Sequence, residues 1–360
     1  MKRLCLREGI GGRVGILVSV VVVNFNSREL VSRAARAALS STVSLEVIVV
    51  DNCSTDNSLR RLRLEHGADT RVRVIRNRRN LGFARACNEG IRVASGKYLL
   101  FLNPDCIIEN DTIARMVSRL EQYPQAGMAG CTVRNPDGSE QAGSRRVVPT
   151  PWRSAVRVFH LDRLFPHHPR FNSFDRVHSP LPSQPVFVEA ISGAFMLVRR
   201  EALREVGPFD KRYFLHCEDL DWCMRFRRGG WQILFVPDVD VLHYKGACSM
   251  DRPVTVLWHK HRGMMRFYRK FFRHQYPLPL MTLVAATVWA RFLVLAGQEL
   301  ISRPMRKVSR TSDSAVGRSQ VGAPPAAAPL SDRHEPPAVP GVTHRRVGDS
   351  AHRDGRNAVR

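Results

Sequence analysis

Acidic side chains and one histidine stand where apolar runs end, and those positions are where this chain could do chemistry. In KYLLFLNPD (residues 97–105), residues 98–102 are bulky and apolar enough for a strand buried on both faces, and Asn103, Pro104 and Asp105 end it abruptly. Ligands of open α/β sheets collect beyond the carboxyl ends of the strands. A carboxylate projected there from a proline-stiffened turn can meet a divalent cation and a diphosphate. Glu218, Asp219 and Asp221 open a second pattern, EDLDWCMRFRR, ahead of Arg225, Arg227 and Arg228. Carboxylates at a helix N-terminus complement its dipole, and this crowding beside arginines can hold one of them ionised as a general base. His243 closes the apolar stretch 233–242, where an imidazole is either a structural hydrogen-bonding group or a ligand.

The segments that must position these groups alternate in type. Residues 16–23 (ILVSVVVV) read as a buried strand ending in Asn24, Phe25, Asn26 and Ser27, with Ser27 expected to cap a helix through Leu30, Ala34 and Ala38. Residues 45–50 (LEVIVV) repeat the pattern, ending in Asp51 and followed by a helix from Ser58 that Gly67 closes. VRVIRN (72–77) leads to LGFARACNEGIRVAS, a helix expected to stop before Gly96; a further helix over 112–122 buries Ile113, Met116, Val117 and Leu120. A strand around 128–133 and a turn at Asn135 to Gly138 come next. Such alternation predicts a mostly parallel α/β sheet with right-handed crossovers. No GxGxxG follows the first strand, which argues against a dinucleotide-binding dehydrogenase.

Composition narrows the setting. The 360 residues carry a formal charge of +24 and a pI near 10.9, so an anionic partner is implied: nucleic acid, acidic membrane or phosphorylated small molecule. Eight cysteines form no CxxC pair in a chain too long to need staples, which points to reduced thiols, a cytosolic setting and no structural zinc. The apolar run after Lys2, Arg3 and Arg7 is interrupted by Gly11, Gly12 and Gly15 and lacks a small-residue cleavage site, so it reads as strand rather than signal peptide. Residues 1–15 are then an extension, and Pro-, Arg- and His-rich residues 140–185 a flexible surface flap.

Taken together, VSVVVVNFNS, VIVVDNCSTDNS, NLGFARACNEGI, LLFLNPD, ISGAFMLVRREAL, FDKRYFLHCEDLDWCMRFRRGGW and VLHYKGACS resemble, in consistent order over about residues 16–275, the family 2 inverting glycosyltransferases, in their rhamnosyltransferase-like branch. The resemblance implies a GT-A type nucleotide-sugar-binding fold over residues 16–255 and dependence on Mg²⁺ or Mn²⁺. It implies that Asp51 binds the nucleobase side of the donor with Asn24 and Asn26 nearby, and that Asn80, Gly82 and Asn88 shape the donor pocket. Asp105 becomes the metal-binding acid of a DxD-like motif reduced here to Asn103, Pro104 and Asp105, with His243 beside metal and diphosphate. Glu218 and Asp219 match the family's acidic pair, Asp219 as base, and Gly82 and Gly193 allow close backbone approach to sugar and phosphate. Lys211 and His216 depart from the branch. The implied donor is dTDP-L-rhamnose, the acceptor a cell-surface polysaccharide or polyprenyl-diphosphate-linked saccharide. A UDP-hexose or UDP-N-acetylhexosamine donor, or a non-catalytic protein keeping the fold, are the alternatives.

The C-terminal third points to a membrane. Leu257, His261, Met264, Met265, Tyr268 and Phe272 share one helical face, and Lys260, Arg262, Arg266, Arg269, Lys270 and Arg273 crowd elsewhere. A basic amphipathic helix docks on anionic lipid, whereas no nucleic-acid-binding module is recognisable, so nucleic acid is not the expected partner. LMTLVAATVWARFLVLAG (280–297), broken by Arg291, reads as an interfacial or re-entrant helix at the inner face of the cell membrane; a transmembrane helix and a buried core helix are the alternatives. Residues 256–302 are thus expected to associate with membrane, and 303–360 to form a disordered tail.

Overall fold

The valine-rich strand β1 (Val18–Asn24) is buried along its whole length, as a strand covered on both faces must be. A computed structural model describes residues 16–158, 160–164, 168, 179–248 and 252–316. The expected extension 1–15 lies outside these residues. After β1 come α1 (Leu30–Leu39), β2 (Leu45–Asp51), α2 (Ser58–His66), β3 (Val72–Arg76), α3 (Phe83–Val93), β4 (Tyr98–Leu102), β5 (Cys106–Ile107), α4 (Thr112–Gln122) and β6 (Ala126–Arg134). The second half holds β7 (Arg145–Arg146), α5 (Pro151–Val158), α6 (Leu161–Leu164), β8 (Val186–Phe187), β9 (Ala190–Ile191), β10 (Phe195–Arg199) and α7 (Arg200–Val206). It ends with α8 (Glu218–Arg228), β11 (Gln232–His243), α9 (Pro253–Phe272) and α10 (Leu278–Val316).

The main sheet has the order β3-β2-β1-β4-β10-β6-β11-β5, with β8 on β11, and β7 pairs with β9 separately. β1, β2, β3 and β4 are mutually parallel, as is β6 with β11, but β10 runs antiparallel to both β4 and β6. That reversal brings the start of β10 to the edge where β1, β2, β4 and β11 end. Alternation then splits the core: Val18, Val20 and Val22 face the layer of α1, α2 and α4, and Val21 and Val23 that of α3, α7, α8 and α9.

Three expectations change. Ser27 does not cap α1; its hydroxyl donates to Asn24 Oδ1 at 2.5 Å, and α1 begins after Glu29 without a side-chain cap. The segment expected to be a flap holds secondary structure, since β7 pairs Arg145 with Ile191 and Arg146 with Ala190; residues 159, 165–167 and 169–178 lie outside the described set. The face of α9 expected to meet lipid meets protein instead. His261, Met265, Phe267, Tyr268, Phe271 and Phe272 are buried, and Arg266 and Lys270 pair with Asp210 at 2.8 and 3.1 Å.

The chain divides into two units, Met1–Pro304 and Met305–Arg360, of which the second is described only to residue 316. The tail expected from 303 begins as helix, since α10 continues to Val316, and 317–360 lie outside the described residues. Within the first unit, the 24 residues Leu278–Ile301 form a helix of mean hydropathy 1.8 that is long and apolar enough to cross a membrane, with only 6% of its apolar window buried. A buried core helix is thereby excluded. Leu283, Leu293, Val294, Leu300 and Ile301 are exposed.

Candidate active site

The groups singled out in the sequence gather at one sheet edge because strand ends deliver them there. Asn24 lies beside Asp51 in the β1–β2 register, Leu102 of β4 is opposite Val22, and Phe195 of β10 is opposite Leu102. Just past β4, the Asn103 N–H donates to the Ala194 carbonyl at 3.0 Å, tying the NPD turn to the Ser192–Ala194 loop. His243, at the end of β11, pairs with Cys106 of β5, which places its ring beside Asp105.

Asp105 and His243 are both buried, with Asp105 Oδ1 3.1 Å from His243 Nε2. Gln141 fixes the proton on that ring. Its Nε2 donates to Asn135 Oδ1 at 2.8 Å and to the His243 carbonyl at 3.3 Å, which turns its Oε1 toward His243 Nδ1 at 2.7 Å. Nδ1 therefore carries the hydrogen, and in the neutral ring the Nε2 lone pair points at a carboxylate oxygen. Two acceptors face each other, and a bound cation satisfies both. Cys106 completes a group of three donors lying within 4.8 Å of one another. Burial and the charge of Asp105 push its thiol well above the usual range, and its S–H donates to the Ala194 carbonyl at 3.5 Å. One carboxylate and one imidazole are donors that a divalent cation accepts.

Aromatic packing sets α8. Trp222 is fully buried, meets Phe101 of β4 edge to face at 5.2 Å and Phe209 at 3.8 Å, and donates through Nε1 to the Gly207 carbonyl at 2.9 Å. The three acids at its start then serve different ends. Asp221 is wholly buried and bonds Arg225 at 2.8 Å and Lys270 at 2.6 Å, anchoring α9 to α8. Asp219 is held by its neighbours: Leu220 N–H donates to Oδ1 at 2.8 Å, Arg146 Nη2 to Oδ2, and Gly193 packs against its Cβ, where an added methyl would come within 3.3 Å. Glu218 is buried, and its Oε2 has no hydrogen-bond partner among the described residues. Burial, and then the neighbouring charge of Asp219, push its carboxyl up to about 8.

The expected donor residues divide. Asn24, Asn26 and Asp51 come together at the ends of β1 and β2: Asn24 Nδ2 donates to Asp51 Oδ1 at 2.8 Å, and Asn26 Oδ1 accepts from Thr55 N–H at 2.8 Å. Asn24 and Asp51 are fully buried and Arg76 lies 3.7 Å from Asp51. Asn80 accepts from Gly82 N–H at 2.9 Å, and Gly82, at φ 83°, sits so close to Phe214 that a Cβ would lie 2.5 Å from its carbonyl oxygen. Asn88 is spent on the backbone of Phe209, donating to its carbonyl and accepting from its N–H, both at 2.9 Å. Of the two departures, Lys211 is exposed with its carbonyl bonded to Arg85, and His216 adopts φ 67° just before α8.

The sequence profile described as "Glycosyl transferase family 2" matches residues 19–207, more than half of the chain. The chain belongs to glycosyltransferase family 2. A second profile, "Glycosyl transferase family group 2", matches residues 152–297. An N-acetylglucosaminyl-diphospho-decaprenol L-rhamnosyltransferase of Mycobacterium tuberculosis is 27% identical over 263 residues, covering 70% of this chain and 83% of the relative. Rhamnosyltransferase WbbL of Escherichia coli is 29% identical over 160 residues, 43% of this chain and 55% of that protein. Succinoglycan biosynthesis protein ExoO of Rhizobium meliloti is 36% identical over 248 residues, 68% and 61% respectively. The fold is similar to that of a mannosyltransferase from Pyrobaculum calidifontis in complex with GDP-Man and Mn²⁺, with TM-score 0.51, 18% identity, and coverage of 85% of this chain and 77% of that one. The protein is thus a rhamnosyltransferase-like glycosyltransferase of GT-A fold, and the non-catalytic alternative falls.

Three polar groups of this glycosyltransferase escaped the sequence reading. Gln141 orients His243, Arg146 reaches Asp219, and Asn52 ties two loops together by donating to the Gly82 carbonyl at 3.2 Å and accepting from Asn77 at 2.9 Å. The protonation of Glu218 has a consequence for stability. The folded enzyme holds this proton up to about pH 8, whereas an unfolded glutamate releases it near 4.5, so the folded state loses stability as pH rises across that interval. In Glu218→Gln, thermal unfolding between about pH 5 and about pH 8 should lose this part of the decline. A slope equal to the parent's would mean that Glu218 titrates normally.

Proposed function

We propose that this enzyme is an inverting, divalent-metal-dependent transferase that moves L-rhamnose from dTDP-L-rhamnose to a polyprenyl-diphosphate-linked saccharide or growing surface polysaccharide. The observation that carries the chemistry is the immobilised Asp219 carboxylate on the same sheet edge as Asp105 and His243. The mycobacterial relative's name supports the sugar and the lipid-linked acceptor.

In this reading Asn26, Asp51 and the Asn80–Gly82 turn shape the nucleoside end, and Asn103 and Gly193 flank the sugar. Asp105 and His243 would hold a divalent cation, which when bound supplies positive charge against the leaving diphosphate. Asp219 takes the proton from the acceptor hydroxyl as that oxygen bonds to the anomeric carbon. The bond from anomeric carbon to diphosphate oxygen breaks on the opposite face and its electron pair leaves with the nucleotide. A single displacement without covalent intermediate inverts the anomeric centre. Glu218, neutral beside the ionised Asp219, adds no second negative charge at the acceptor side.

The exposed apolar length of α10 supports work at the cytoplasmic face of the membrane, where a polyprenyl acceptor resides. The decisive assay offers dTDP-L-rhamnose, UDP-hexoses and UDP-N-acetylhexosamines with Mn²⁺ and an acceptor in anionic vesicles, and measures nucleoside diphosphate release. Release from dTDP-L-rhamnose by protein that co-floats with the vesicles is expected. Turnover of UDP donors alone would replace the donor, and protein left at the bottom of the gradient would remove the membrane.

A further inference from the structure

We infer that Arg146 is a positioning residue for the base, fixing the Asp219 carboxylate where the acceptor hydroxyl must arrive; this rests on Asp219 being that base. The argument begins in β7, where adjacent residues must face opposite ways. Arg145 turns toward Glu140, which it meets through Nε at 3.0 Å and Nη2 at 3.1 Å, and it also donates to the Ser179 and Pro180 carbonyls. Its donors are committed to holding the segment together. Arg146 turns the other way, into the active site.

There its Nη2 donates to Asp219 Oδ2 and, at 3.3 Å, to the Ile191 carbonyl. Its buried Nε has no partner among the described residues. Asp219 is thereby fixed from both sides, Oδ1 by its own helix and Oδ2 by a different segment, with Gly193 against its Cβ. One donor on each oxygen leaves lone pairs for a hydroxyl and stops rotation about the last torsion of the side chain. The two side chains are 20% and 15% exposed, so water screens the contact little. A cation touching a base also weakens its pull on a proton. Orientation accounts for its presence at this point, because misplacing a reacting group by about 1 Å can cost about 10²-fold in rate.

The test compares Arg146→Met and Arg146→Lys in the full chain, using the nucleotide sugar that turns over, with dTDP binding and thermal unfolding measured alongside. Arg146→Met should lower kcat by about 10²-fold, with donor KM within about twofold and nucleotide binding intact. Arg146→Lys, which keeps the charge but not the fork, should recover part of the loss. In an Asp219→Asn background, Arg146→Met should add almost nothing to the residual rate, since the two changes act through one contact. A raised donor KM at unchanged kcat would make Arg146 a diphosphate ligand and overturn the inference. Lost dTDP binding with an early unfolding transition in both variants would make it structural and overturn it equally. If instead Asp219→Asn alone leaves turnover intact, the base assignment has failed, and that result is recognisable without either Arg146 variant.

Discussion

Asp219→Asn should lower turnover by about 10²- to 10⁴-fold, the range that a positioned general base supplies. The substitution is close to isosteric and keeps an oxygen for the Leu220 N–H, which Asp219 Oδ1 now accepts at 2.8 Å, so α8 should start as before. Gly193 has no side chain to clash with the new amide, whose NH2 takes the place of the Oδ2 that accepts from Arg146, so that contact is lost together with the charge. What disappears is the ability to take a proton from the acceptor hydroxyl. Donor KM should therefore stay within about twofold while kcat falls, the mark of an interaction made only at the transition state. Steady-state release of nucleoside diphosphate measures both constants. A kcat within about threefold of the parent would end the assignment of Asp219 as base.

Asp105→Asn should be nearly as damaging, for an electrostatic reason. Its carboxylate faces the lone pair of a histidine whose proton Gln141 holds on the far nitrogen. A neutral amide there cannot offset a divalent charge, and charge stabilisation worth several kcal/mol should be lost, so the rate falls by at least about 10²-fold. Activity of EDTA-treated protein titrated with Mn²⁺ separates the causes: the variant should need far more metal or never recover. Gln141→Leu should be milder, weakening apparent metal affinity by about 10- to 100-fold through the freed imidazole. If Asp105→Asn follows the parent's metal titration, the cation is not held here.

Much of this could be read from side-chain periodicity, and the rest failed for physical reasons. The 3.6-residue spacing of Ile113, Met116, Val117 and Leu120 gave the helix that the structure shows as Thr112–Gln122, and the NPDG turn closes with Gly138 N–H on the Asn135 carbonyl at 2.9 Å. Strand direction leaves no such trace, because a buried strand is apolar whichever way it runs, and so the reversal of β10 was invisible. The stripe on α9 is the same whether it faces lipid or protein; the signal against lipid lay in Asp210 and Asp221, acids distant in sequence that take Arg266 and Lys270. Asp221 was grouped with the other two acids of α8, and the signal that it is structural lay in Arg225 at i+4. Arg146 was not legible. It sits in a segment without periodicity, and only its pairing opposite Ala190 shows that one arginine of the two points into the site.

The reversed strand also matters before the protein is complete. β4 pairs with β1 as soon as both have left the ribosome, yet its other edge waits for Phe195–Arg199, which emerges only after β5, α4, β6 and the whole arginine-rich segment. Until then YLLFL presents an uncovered row of backbone donors and acceptors along a wholly apolar strand, a template for pairing with another nascent chain. Translation halted between the two strands therefore leaves this edge open to pairing with another chain.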